Sequence, residues 1–152
     1  MPRTRTIVAT LLLLAACAGN GAAAEPADAI ELIGLDPPAA FAALGAPLEI
    51  FTWRGAEPAE DNIVFFYPDF RYVFWFQSRV WQVRFDRRYT GTVLGFLIGM
   101  GRAEAEVQGK GRLQQSGDSL YLAMETGRYP VRLRLAMVDD QVADIYVYRS
   151  DY

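Results

Sequence analysis

The sequence predicts an α+β domain made of two tandem repeats, each a short helix followed by antiparallel strands. Three observations predict it. Of the 152 residues, 52% are hydrophobic and 13% aromatic, a composition that buries a core rather than staying disordered. Short runs rich in Phe, Tyr, Trp, Ile, Leu and Val alternate with polar residues and are punctuated by Gly, Pro and Asp, as half-buried strands are. Finally, two strings recur in the same order. Ile33-Gly34-Leu35 returns as Ile98-Gly99-Met100, each ahead of an Ala-rich helical stretch. Val80-Trp81-Gln82-Val83-Arg84-Phe85-Asp86-Arg87 aligns without gaps to Val142-Ala143-Asp144-Ile145-Tyr146-Val147-Tyr148-Arg149. The paired strings lie 65 and 62 residues apart, which reads as an internal duplication.

Residues 1–16 read as an export signal: Arg3 and Arg5 precede an apolar core from Thr6 to Ala16, too short to span a bilayer. The string Leu14-Ala15-Ala16-Cys17 resembles the lipobox of bacterial lipoproteins. That resemblance implies acylation of Cys17 and, with Ala18 following, an outer-membrane anchor facing the periplasm. The alternative is cleavage after Ala22-Ala23-Ala24, leaving a soluble periplasmic protein. Residues 17–28 are mostly Ala, Gly, Asn and Pro and are expected to form a flexible tether. A first repeat over 29–90 and a second over 91–152 are expected to form one compact unit.

In the first repeat Asp36 is the expected N-cap, Pro37 the first helical residue, Phe41 and Leu44 the apolar stripe, and Gly45 with Pro47 the stop. Strands are expected near 48–54, 62–67, 71–77 and 80–86. A turn at Ser78-Arg79 sets Phe76 opposite Trp81, Phe74 opposite Val83 and Tyr72 opposite Phe85 on the core side, with Arg71 paired to Asp86 on the other. In the second repeat a helix near 102–108 precedes strands near 119–125, 130–137 and 142–149. Leu120, Leu122, Met124, Val131, Leu133, Leu135, Ile145 and Val147 alternate inward. A loop over Asp139-Asp140-Gln141 then sets Arg134 beside Tyr146 and Arg132 beside Tyr148, away from the core.

The string Gly34-Leu35-Asp36-Pro37-Pro38-Ala39-Ala40-Phe41-Ala42-Ala43-Leu44-Gly45-Ala46-Pro47 resembles the Gly-Met, helix, Leu-Gly-x-Pro signature of the small accessory lipoprotein of the outer-membrane β-barrel assembly machine. The tandem form of that helix-plus-sheet unit resembles β-lactamase inhibitory protein. The resemblance covers about 14 residues per repeat and the final strand, and the second copy has Gly109-Lys110-Gly111-Arg112 where Leu-Gly-x-Pro would fall. It implies a curved antiparallel sheet with helices on one face and the other face free for a partner, in a non-enzymatic binding protein.

The chemistry the composition excludes is broad. With no His and a single Cys, Ser-His-Asp and Cys-His catalysis, zinc sites on thiolate or imidazole and intrachain disulfides are all removed. Without residues 1–16 the net charge is −5, which argues against nucleic acid as a partner. Glu57, Glu60 and Asp61 lack the alternating oxygen ligands and central Gly of a calcium loop and read as a solvated loop. Asp139-Asp140 reads as a polar turn. Gly95, Gly99 and Gly101 form neither a dinucleotide fingerprint nor a P-loop and are expected to permit close approach between the repeats. No cofactor and no metal are expected.

What exceeds a structural role is the outward face. The register above turns Phe66, Val73 and Trp75 outward with Gln82 and Arg84, and the second repeat adds Tyr121, Arg132, Arg134, Tyr146 and Tyr148. Trp, Tyr and Arg dominate interface hot spots. Trp75, Arg84, Tyr121, Arg132, Arg134, Tyr146 and Tyr148 are therefore the expected partner-binding residues, unless a helix, a loop or a second copy covers them. The expectation is a non-enzymatic envelope lipoprotein acting as a protein-interaction or scaffolding module, with an envelope protein as partner. The alternative is an inhibitor or binder of a secreted enzyme or small ligand. A hydrolase working with carboxylates alone is the least favoured reading.

Overall fold

A computed structural model describes residues 28–55 and 62–151. The export signal, Cys17, the tether up to residue 27 and the loop acids Glu57, Glu60 and Asp61 lie outside the described residues. A single turn, α1 (Ala29–Leu32), comes first, with the Asp28 carboxylate accepting from the Ile30 N–H at 3.0 Å. Helix α2 (Pro37–Leu44) follows with the caps its sequence carries: Asp36 accepts from the Ala39 N–H at 3.0 Å and Gly45 closes the last turn. Its buried residue is Ala40, and Leu44 packs beside the core. Phe41, expected in the apolar stripe, is instead 40% exposed and leans on the Phe65 ring at 5.7 Å.

The remaining elements are β1 (Glu49–Trp53), β2 (Asn62–Phe66), β3 (Arg71–Phe76), β4 (Arg79–Phe85), α3 (Arg102–Gln108), β5 (Gln114–Ser116), β6 (Ser119–Glu125), β7 (Pro130–Val138) and β8 (Gln141–Arg149). The strands make one eight-stranded antiparallel sheet in the order β1-β2-β3-β4-β8-β7-β6-β5, so the class is α+β. Leu32, Ala40 and Ala105 from the three helices join Val73, Val83, Phe85, Leu133, Leu135, Ile145 and Val147 in one buried cluster. The described helices thus cover one face of the sheet. Removing that apolar surface from water is the main stabilising term.

The register of β3 against β4 differs from the sequence expectation, and a β-bulge is the reason. The turn is Gln77-Ser78, both with positive φ (47° and 58°), so Phe76 pairs with Arg79 and Trp75 with Val80. Trp81 is then an extra residue on β4, because the next pairs are Phe74 with Gln82, Val73 with Val83 and Tyr72 with Arg84. A one-residue slip exchanges the faces of a whole strand. Val73 and Trp75 therefore point into the core, Trp75 only 6% exposed, while Tyr72, Phe74 and Trp81 stand on the opposite face. The expected Arg71–Asp86 pair is also absent. Arg71 is buried and bonds Asp69 at 2.9 Å, and Asp86 pairs with Arg88.

Several local arrangements occur once among residues 29–90 and again among residues 91–151. The Gly34 N–H donates to the Val80 carbonyl at 2.7 Å and the Val80 N–H to the Leu35 carbonyl at 2.9 Å. The Gly99 N–H donates to Val142 at 2.8 Å and the Val142 N–H to Met100 at 2.9 Å. The β7–β8 turn, Asp139-Asp140, has positive φ at both residues (49° and 63°), like Gln77-Ser78. A bulge then inserts Ala143 between the pairs Met137–Val142 and Ala136–Asp144, at the position where β4 has Trp81.

Candidate functional site

The face away from the helices is read off the pairing. One row of directly opposed residues runs Phe66, Tyr72, Arg84, Tyr146, Arg134, Tyr121 across β2, β3, β4, β8, β7 and β6. The next row runs Phe51, Val64, Phe74, Gln82, Tyr148, Arg132. In the first row tyrosine and arginine alternate, and they stack. The Arg84 guanidinium lies 5.3 Å from the Tyr72 ring centre and 5.6 Å from that of Tyr146, and Arg134 lies 5.2 Å from Tyr146 on its other side. Guanidinium on aromatic is a favourable, planar contact.

Beside this ladder is a hollow of about 440 Å³ bounded by Trp53, Phe74, Trp81, Arg84, Tyr121 and Tyr148 among others. Trp53 belongs to β1 and Tyr121 to β6. Six strand spacings of about 4.8 Å would hold them nearly 30 Å apart on a flat sheet, so the sheet curls and this face is its concave side. The ring walls brace one another, with Trp53 and Trp81 both edge-on to Phe74 at 6.3 and 6.4 Å. The Trp81 indole N–H donates to the Asn62 side-chain oxygen at 2.6 Å. Past Tyr121 and Tyr148 a second hollow of about 370 Å³ opens along Arg132 and β5.

Charge on this face is uneven. Arg84 is bonded through Nε and Nη2 to Asp144 at 3.0 and 2.8 Å across the β4–β8 seam. Burial opposes its charge, but the Asp144 hydrogen bonds and the neighbouring Tyr146 and Tyr72 outweigh that and raise its pKa, so it stays cationic. Burial pushes the Tyr146 phenol above its ordinary value, with Arg84 pulling the other way, Asp144 adding to the rise and Arg134 lowering it. A phenol so placed is neutral near pH 7 and serves as a hydrogen-bonding ring. Among the described residues, Arg134 gives only its Nε to a polar partner, the Ser119 hydroxyl at 3.1 Å.

Six of the seven residues singled out from the sequence, Arg84, Tyr121, Arg132, Arg134, Tyr146 and Tyr148, share this face. Trp75 does not: it sits in the core, between helices and sheet. The sequence reading missed Trp53, Tyr72, Phe74 and Trp81, which supply most of the aromatic wall. A signal for them was present. The alignment of Val80–Arg87 with Val142–Arg149, carried back three residues, matches Gln77-Ser78 to the Asp139-Asp140 turn and so sets the observed β3–β4 register. Among the described residues, no three Asp, Glu, Cys or His side chains are grouped to hold a metal ion. The arrangement is one of stacked rings and guanidinium groups, suited to recognition by contact.

No family model matches the chain, and no curated protein matches it. Two solved structures are similar. One is an extracellular protein containing an SCP domain from Bacillus anthracis str. Ames, with a TM-score of 0.55 and 10% identity over 99% of this chain and 50% of that one. This chain spans about half the length of that protein. The other is a DUF4309 family protein, YjgB, from Bacillus subtilis subsp. subtilis str. 168, with a TM-score of 0.43 and 16% identity over 76% of this chain and 78% of that one. The first similarity is one of fold: this chain shares its α+β architecture with part of an extracellular protein.

Proposed function

We propose that this is a cell-envelope lipoprotein of two tandem helix-plus-sheet repeats, and that its concave sheet face binds a partner protein as a non-enzymatic interaction or scaffolding module. The observation that carries the reading is the Tyr72, Arg84, Tyr146, Arg134, Tyr121 ladder beside a hollow walled by Trp53, Phe74 and Trp81. Those residue types concentrate binding energy in interfaces, and a monomer rarely leaves such a patch unused. The duplication is supported by the paired Gly34–Val80 and Gly99–Val142 hydrogen bonds and by a positive-φ turn and bulge at matching positions in β4 and β8. The envelope anchor is supported by Arg3, Arg5 and the Leu14-Ala15-Ala16-Cys17 string, and an exported location also by the extracellular description of the Bacillus anthracis protein. Among the described residues, no helix is long and apolar enough to cross a membrane.

The test is recovery of tagged full-length chain from detergent-solubilised envelopes, beside a Trp81→Ala, Tyr146→Ala double variant. The expected result is a stable membrane complex with the wild type and about tenfold less of it with the variant. Undiminished recovery by a folded variant overturns the reading. The second reading, inhibition of a secreted enzyme or capture of a small ligand, rests on the volume of the hollow, about 440 Å³. Recovery of a soluble enzyme instead of a membrane complex selects it.

A further inference from the structure

We infer that the concave face takes an acidic protein segment, with a carboxylate held by Arg134 and an adjacent apolar side chain lodged in the Trp53–Phe74–Trp81 hollow; this rests on the interaction reading above and names the chemistry of its partner. Arg84 is already neutralised by Asp144. Arg134 is not. Its Nε is spent on Ser119, and among the described residues its two Nη groups have no acceptor, while its guanidinium carbon lies over the Tyr146 ring at 5.2 Å. That leaves two Nη groups on a side chain that lines the hollow, and the end of a guanidinium grips a carboxylate bidentately. Arg132 lies on the same side of β7 two residues away, exposed, and forms no ion pair among the described residues. Two uncompensated guanidinium groups thus stand together on a chain whose net charge is −3, so a partner is recognised by local charge of the opposite sign.

A peptide is favoured over an acidic polysaccharide by the ring geometry. The Trp53–Phe74 and Phe74–Trp81 pairs meet at 64° and 74°. Their edges enclose a pocket for a side chain, whereas a sugar ring stacks on an open flat face. An apolar residue beside a carboxylate satisfies both parts of the site.

The experiment uses the full-length chain in detergent micelles at low ionic strength and follows heat on titration with a capped Gly-Glu-Phe-Glu-Phe-Gly peptide. Its Gln-for-Glu counterpart and trigalacturonate are the comparison probes. The acidic peptide is expected to bind about tenfold more tightly than the Gln peptide, and Arg134→Gln is expected to erase that preference. Lys110→Gln, in the turn after α3, is expected to leave it intact. Arg132→Gln, at an exposed position, is expected to weaken the preference and serves if Arg134→Gln does not fold. Equal binding of the two peptides, no binding of either, or tighter binding of trigalacturonate overturns the inference. If envelope recovery depends on Trp81 and Tyr146 while the acidic peptide shows no preference, this inference alone falls. If recovery is indifferent to those residues, the interaction reading falls with it.

Discussion

Arg84 on β4 and Asp144 on β8 bond across the seam where the two four-stranded runs of the sheet meet, at 2.8 and 3.0 Å and each less than a quarter exposed. Arg84 also lies against Tyr72 on one side and Tyr146 on the other. One guanidinium therefore joins the halves of the sheet and holds two rungs of the ladder. Losing either partner leaves a half-buried charge uncompensated.

Arg84→Ala and Asp144→Ala are each expected to cost about 1–2 kcal/mol, with the double change costing clearly less than their sum. Chemical denaturation of the four proteins measures this. Strict additivity would mean that the seam pair contributes nothing.

Trp75→Ala is expected to cost about 3–5 kcal/mol, since it empties a large buried site. Its indole N–H has no partner among the described residues, so Trp75→Phe is expected to be much milder. Trp81→Ala, on the concave face, is expected to cost about 1–2 kcal/mol. Thermal melts rank the three, and an equal loss for Trp75→Ala and Trp81→Ala would contradict the bulge-shifted register.

Gly34 and Gly99 hold equivalent hydrogen bonds at φ +85° and +82°, where any side chain is strained. A Cβ at Gly34 would also lie 2.3 Å from Cε2 of Tyr129, a ring covered by the Arg149 guanidinium at 3.9 Å, while at Gly99 nothing lies within 4 Å. Gly99→Ala is expected to cost about 1 kcal/mol from strain alone, and Gly34→Ala about twice that or more. The reverse order in denaturation would mean that Tyr129 does not pack where the structure has it.

Burial pushes the Asp86 carboxyl up, but Arg88, through its side chain and backbone N–H, and the Tyr72 hydroxyl outweigh that and hold it below its ordinary value of 3.8. A carboxyl depressed in the folded state stabilises fully above the unfolded value and ceases to do so as pH falls through the folded one. Stability is therefore expected to drop as pH is lowered below about 4, and Asp86→Asn is expected to flatten that drop. Denaturation midpoints across this range for both proteins check it.

Much of the second half was legible because its strands alternate without ambiguity. Leucine and valine at 120, 122, 131, 133 and 135 face the core against Arg and Tyr outward, and the Arg134–Tyr146 and Arg132–Tyr148 pairs followed from that pattern with a loop over Asp139-Asp140-Gln141; the turn is shorter, Gln141 pairing with Val138, and the bulge at Ala143 restores the expected pairs. Helix α2 was legible from Asp36, Pro37 and Gly45. The strand register of the first half was not, because both faces of β3 are apolar: Tyr72, Phe74 and Phe76 on one side, Val73 and Trp75 on the other. With no polarity contrast the register hung on the turn, and Gln77-Ser78 lacks the Asn or Gly that marks positive φ. Strand β5, Gln-Gln-Ser, has no apolar residue to signal a strand, and α1 is a single turn. Of the site, the ladder was visible from Arg84 to Tyr121. Its aromatic wall was hidden by the bulge at Trp81.

The most direct measurement is site-specific photocrosslinking in intact cells, with a photoreactive phenylalanine at position 148 on the concave face or at position 107, an exposed site on α3. One discrete protein adduct is expected from position 148 and none from 107. An adduct from 107 without one from 148 would contradict a concave binding face.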